Sequence, residues 1–153
     1  LLGTDLGYSP LAEGIRAHRG GYFGRARLPQ HVGALSEGCV VVRNDHLRRV
    51  GWLDPTYRDM GAAMVDFTYR LNAYALRNHW VPTIEATLVA RHWSARRAAA
   101  LDAARVANRW GLAGRRDAHY NDNLGLAGGR FHYADPPRVA LSRPWFDSAE
   151  ETG

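Results

Sequence analysis

The stretch RDMGAAMVDFTYRLN, residues 58–72, decides how this chain is read. Apolar side chains fall at Met60, Met64, Phe67, Leu71 and then Tyr74, at spacings of four, three, four and three, which makes one face of an α-helix. Asp66 lies roughly 100° around the helix from Phe67 and one turn before Arg70, so the two charged side chains can pair. A single carboxylate between an apolar stripe and an arginine admits two readings. One is a salt bridge at the surface or half-buried, worth at most ~1 kcal/mol. The other is a member of a catalytic acid pair.

Upstream, the run CVVV (39–42) is β-branched and too short for a helix, which predicts a buried strand with Cys39 as a small apolar residue. Asn44 or Asp45 then caps a short helix, HLRRV (46–50), closed by Gly51. Residues 1–33 are rich in glycine and weakly periodic and read as a loop leading into the core, with Tyr22 and Phe23 free to fold over a neighbouring surface. Downstream, HWVP (79–82) and ATLVARH (86–92) read as extended, Pro82 marking an edge or a strand end. Ser94 caps a second helix through ARRAAALDAARVANRW (95–110), which is alanine-rich and stopped by Gly111. The expected organisation is therefore a loop at 1–33, an α/β core at 34–111 and an irregular tail at 112–153 packed on that core. These elements are too few for a complete doubly wound sheet.

Composition bounds the possibilities. With 153 residues, 46% apolar and 23% charged, the chain fits one globular domain. Cys39 is the sole cysteine, so there is neither an internal disulfide nor a cysteine-based zinc site. All 20 basic residues are arginine and the net charge is +5, which favours anionic partners. The arginines are scattered from Arg16 to Arg143 without an aromatic–basic ladder, so solvated helix faces are their expected use and nucleic acid is not an expected partner. No apolar run approaches the ~20 residues of a membrane span, and LLGTDLGYSPLAEG (1–14) lacks the basic and apolar regions of a signal peptide.

Four stretches, in this order, resemble the C-terminal half of family-2 glycosyltransferases of the GT-A fold, the bacterial polysaccharide and O-antigen type. GYFGRARLPQHVGALSEGCVVVRNDHLRRVGWLD (21–54) is similar to a glycine-aromatic loop, a strand ending in Val-Arg-Arg, a short helix and a Gly-Gly-Phe/Leu-Asp turn, with Trp52 in place of the second glycine. AMVDFTYRL (63–71) resembles the helix start Asn/Glu-Asp-Val-Asp-Leu-x-x-Arg-Leu, and WVPTIEATLVARHWS (80–94) the strand that follows it. AHYNDNLGLAGGRFHYADPPR (118–138) is similar to the Pro-Tyr-Tyr-Asn-Pro-Asn-Leu-Ser-Leu tail. The likeness covers about Tyr22 to Arg138.

The resemblance implies a partial GT-A-like mixed sheet with flanking helices and a long irregular C-terminal segment. It implies the acceptor side of a nucleotide-sugar-dependent enzyme, with a nucleotide sugar and a glycan acceptor as partners and Mn²⁺ or Mg²⁺ held by the donor-binding half. By the same likeness, Asp66 is a candidate catalytic carboxylate, His92 a candidate metal ligand, and Tyr22, Trp52 and Trp80 candidate platforms for a sugar ring. The alternatives are a helix-bracing Asp66, a His92 hydrogen-bonded to backbone, and three core aromatics. A cytoplasmic location, or a peripheral one at the inner membrane face, goes with this reading.

Two departures matter. The Asp-x-Asp pair that holds the metal in the family occurs nowhere in the 153 residues. The acid that serves the family as general base is matched by Met64, whose thioether accepts no proton at neutral pH. The expected alternative function is accordingly a non-catalytic, glycosyltransferase-derived binding or assembly subunit with a protein partner.

Overall fold

The computed structural model describes residues 2–4, 7–9, 19–87, 96–111, 117, 119–125 and 131–138. Two short antiparallel strands, β1 (Leu2–Thr4) and β2 (Gly7–Ser9), form a hairpin that lies against α3 (Arg96–Trp110). A 3-10 segment, Tyr22–Arg27, leads into β3 (Gln30–Val32). α1 (Asn44–Val50) and α2 (Met60–Ala73) follow, and β4 (Asn78–Trp80) returns to pair with β3 in antiparallel register. The architecture is mixed α/β, with two two-stranded sheets among the described residues.

α2 forms where the spacing predicts, and its ends have physical causes. Asp59, in an extended conformation, accepts the Ala62 N–H at 2.8 Å and so satisfies one of the donors a helix leaves open at its start. At the far end Ala75 adopts φ 59°, and the Leu76 N–H reaches back to the Leu71 carbonyl at 3.0 Å, closing the helix with a left-handed residue. α1 stops at Gly51 (φ 88°) and α3 at Gly111 (φ 54°), both as expected from the sequence. The cap of α1 is Arg43 rather than Asn44 or Asp45; its guanidinium pairs with Asp45 in the first turn at 2.7 Å. Ser94 lies outside the described residues.

The buried face of α2 coincides with the apolar stripe only at Phe67 and Leu71. Met60 (53% exposed) and Tyr74 (45%) are open to solvent, while Ala62, Ala63, Val65, Asp66, Phe67, Thr68 and Leu71 are buried. The reason is α3: its Val106 packs with Ala62, Ala63, Val65, Ala34 and Tyr57. Thr68 is tolerated in this face because its hydroxyl donates within the helix to the Met64 and Val65 carbonyls.

The expected buried strand at 39–42 is also corrected. No strand forms there, Val41 is 89% exposed and Cys39 is exposed. A β-branched run becomes a strand only when a partner supplies its ladder, and none of the described strands lies beside it. The stretch 1–33 instead holds β1, β2, the 3-10 segment and β3. Of ATLVARH, residues 86–87 form no strand and 88–92 lie outside the described residues.

The described part of the C-terminal stretch contains no helix and only one bridge, Leu124 to Tyr133. Tyr120 and Leu124 are buried there against Phe131. Tyr22 stacks on Phe131 at 4.6 Å, and Arg25 donates to the His119 carbonyl at 2.7 Å, tying this small cluster to the 3-10 segment.

One long-range carboxylate holds the approach to α2. Asp102 of α3 is buried and accepts the consecutive N–H groups of Arg58 and Asp59 at 2.6 and 2.7 Å. Asp102→Ala would strand two donors beside a helix start, so it should lower unfolding free energy by about 3 kcal/mol, as hydrogen bonds to charged groups are worth ~1.5–3 kcal/mol each and are not additive. Urea titration of the two proteins reads this directly. A change below about 1 kcal/mol, the scale of a single neutral hydrogen bond, would show that Asp102 does not hold the loop.

Candidate functional site

Asp66 sits in the middle of α2 with no exposed surface. Its Oδ2 accepts from Arg70 Nε at 3.0 Å, the (i, i+4) pair expected from the sequence. Its Oδ1 accepts from Trp110 Nε1 at 2.9 Å and from the Tyr57 hydroxyl at 3.3 Å, and lies 3.1 Å from Arg109 Nη1. Two guanidinium groups and two neutral donors therefore converge on one carboxylate. The pair is buried rather than superficial, which places it outside the energy scale of surface ion pairs.

The rest of Arg70 reaches back along the chain. Its Nη1 donates to the Val50 carbonyl at 2.9 Å and its Nη2 to the Trp52 carbonyl at 2.8 Å, while the guanidinium plane lies 5.3 Å from the Phe67 ring centroid. Val50 ends α1, so Arg70 satisfies a carbonyl that the helix leaves open. Arg109 is shared between Asp66 and Asp54 (3.6 Å). Asp54 accepts from both the hydroxyl and the N–H of Thr56, and these bonds, with help from Arg109 and Arg70, hold its carboxyl below the usual range. Burial, followed by the charge of Asp66, pushes the Tyr57 phenol up.

This arrangement is a strut. A general base needs a lone pair aimed at an acceptor hydroxyl, whereas the oxygens of Asp66 are turned inward onto Arg70, Arg109, Trp110 and Tyr57. Asp59 is likewise engaged as the cap of α2, and the half-buried Met64 brings no proton acceptor. Compared with known proteins, the chain matches no family model, no curated protein and no solved structure.

The candidate aromatics fall in two places. Tyr22 (39% exposed) stacks on Phe131, and Trp80 (41%) donates its indole N–H to the Ala26 carbonyl at 3.3 Å, so both belong to the surroundings of the 3-10 segment. Trp52 (70% exposed) belongs to the Arg70 end of α2, its carbonyl held and its side chain open to solvent. None of the three is a core residue. His92 lies outside the described residues, among which no three His, Cys, Asp or Glu side chains are grouped to hold a metal ion. No helix among the described residues is long and apolar enough to cross a membrane.

Tyr57, Asp102, Arg109 and Trp110 were not singled out from the sequence, although a signal exists. Asp102, Val106 and Trp110 recur every fourth residue of α3 and form the stripe that meets α2.

Two outcomes follow from the geometry. Asp66→Asn keeps the shape but removes the charge that two arginines share, and breaking a buried pair costs about 3–5 kcal/mol. Chemical denaturation should register a loss of that order, and a near-neutral result would remove Asp66 as the hub. Tyr69 packs 5.6 Å from the Trp110 ring, and burial, then the charge of Asp117, pushes its phenol up to about 12. A phenol raised in the folded state contributes stability that is complete below pH ~10, the ordinary tyrosine value, and declines as the pH rises towards about 12. Absorbance titration at the phenolate band should therefore show one late tyrosine, missing from Tyr69→Phe.

Proposed function

We propose that the chain is the acceptor-side module of a family-2-type, nucleotide-sugar-dependent glycosyltransferase and that it does not turn over on its own. The reading is supported by the order of the four motifs between Tyr22 and Arg138 and by the way two of them meet: Arg70 of the AMVDFTYRL stretch holds the carbonyls of Val50 and Trp52. The observation that carries the second half of the proposal is Asp66. The one carboxylate at the acid positions of the motif is fully buried and committed to two arginines, an indole and a phenol, and the other acid position is Met64. Family likeness alone does not grant activity.

In this reading the donor sugar nucleotide, its Mn²⁺ or Mg²⁺ and the Asp-x-Asp pair belong to polypeptide outside these 153 residues. The finer GT-A-like architecture belongs to the same proposal. The acceptor glycan lies along the exposed Trp52, whose indole offers a flat apolar face for a sugar ring. A specific observation also favours the second reading, a binding or assembly subunit without chemistry. Phe23 is 88% exposed at φ 49°, a conformation that costs a non-glycine residue energy, and a phenyl ring displayed that way suits contact with a protein partner.

Calorimetric titration of the isolated chain with nucleotide sugars and Mn²⁺ should give no binding heat. Saturable binding at micromolar concentration would overturn the claim that the donor site lies elsewhere. Once a donor-binding half is supplied, Met64→Asp should raise turnover by at least about tenfold, at the low end of what a positioned general base contributes. An unchanged rate would show that the helix does not occupy the family position.

A further inference from the structure

The antiparallel register of β3 and β4 sets His31 directly opposite His79, with ring centroids 4.2 Å apart. His119 approaches His31 from the C-terminal stretch, at 5.9 Å between centroids. Arg77, just before β4, adds a permanent positive charge close enough to act on the His31 ring. The acid of the same stretch, Asp117, is directed elsewhere: its carboxylate accepts the backbone N–H of His119 at 2.8 Å, lies against Gly33 and faces Tyr69. The neighbouring amides, Asn72 of α2 and Asn78 of β4, both donate to the Gly33 carbonyl. His31 Nδ1 is buried without a hydrogen-bond partner.

This arrangement penalises a charged ring at His31. A doubly protonated ring carries N–H donors on both nitrogens, and at His31 one of them would have no acceptor. A second charge on His79 or His119 would then face the first at ring-contact distance, with Arg77 nearby.

We propose that His31, His79 and His119 form a proton-operated latch, in which acidification releases residues 119–125 from the β3–β4 sheet while α2 and α3 stay docked. The two sides of the latch differ in how firmly they are held. β3 and β4 have three residues each, and an isolated two-stranded sheet is marginal in water. The segment is anchored by the Arg25 bond to His119, the Arg138 bond to Leu124 and the small Tyr120–Leu124–Phe131 cluster. α2 and α3, in contrast, are joined through Asp66, Asp102 and the main core.

The direction follows from linkage. Burial, then the charges of His79, Arg77 and His119, hold the His31 ring below its ordinary value of 6.5, and the Asn78 backbone works weakly the other way. A histidine depressed in the folded state contributes stability that is complete above that ordinary value and is lost as the pH falls through its folded value.

Hydrogen–deuterium exchange of the whole chain, corrected for intrinsic rates, tests the latch at about pH 7.5 and about pH 5.5, on either side of the ordinary histidine value. Acidification should speed exchange several-fold in peptides covering 30–32, 78–80 and 119–125 and leave 60–73 unchanged. His31→Gln and His79→Gln should each remove most of that difference; the exposed His79 position carries the test if the first variant fails to fold. No acid-dependent change, an equal change in both variants, or an equal loss across 60–73 would each overturn the proposal.

Discussion

A carboxylate withdrawn from water has to be paired, and the pairing of Asp66 organises the helical part of this protein. An unpartnered charge in such a position costs several kcal/mol. The helices are therefore confined to arrangements that bring Arg70, Arg109, Trp110 and Tyr57 onto it at once. That requirement sets how α3 lies on α2, places Tyr57 in the core and draws the turn after α1 towards Arg70. The same requirement leaves both oxygens of Asp66 occupied by groups of the protein itself. Asp66 is the point on which α2, α3 and the segment before α2 converge.

Arginine is suited to this role where lysine would fail. Arg70 uses Nε for the carboxylate and its two terminal nitrogens for carbonyls at the end of α1 and in the following turn. A planar fork with five donors can serve all of them, while an ammonium is a compact point charge. Arg109 shows the same economy, bridging Asp66 and Asp54. The exclusive use of arginine, which from composition suggested only an affinity for anions, thus has an internal use in the fold.

The local signals in the sequence were the dependable ones. α2 followed from periodicity, α3 from its run of alanines, Gly51 and Gly111 from the need for a left-handed residue at a helix end, and the Asp66–Arg70 pair from its four-residue spacing. The depth of that pair was not visible, because it depends on Arg109 and Trp110, far along the chain. The buried face of α2 was legible only at Phe67 and Leu71, for a related reason. Met60 and Tyr74 have the larger apolar side chains, but the face that meets α3 is built from alanines, Val65 and Asp66. The CVVV run failed because β propensity is a preference for a partnered surface, and no described strand lies beside it. The histidine cluster was hidden too, since it joins three distant parts of the chain through strand pairing and loop docking.

The bonds that complete α2 also determine when it can be completed. Asp102 reaches the Arg58 and Asp59 amides across 44 and 43 residues, and Trp110 reaches Asp66 across 44. Closing a loop of that length carries an entropy cost that must be met before those contacts stabilise anything. α2 can begin to wind by itself, but its central carboxylate stays solvated until α3 arrives. Docking of α3, rather than helix formation, is therefore what completes α2.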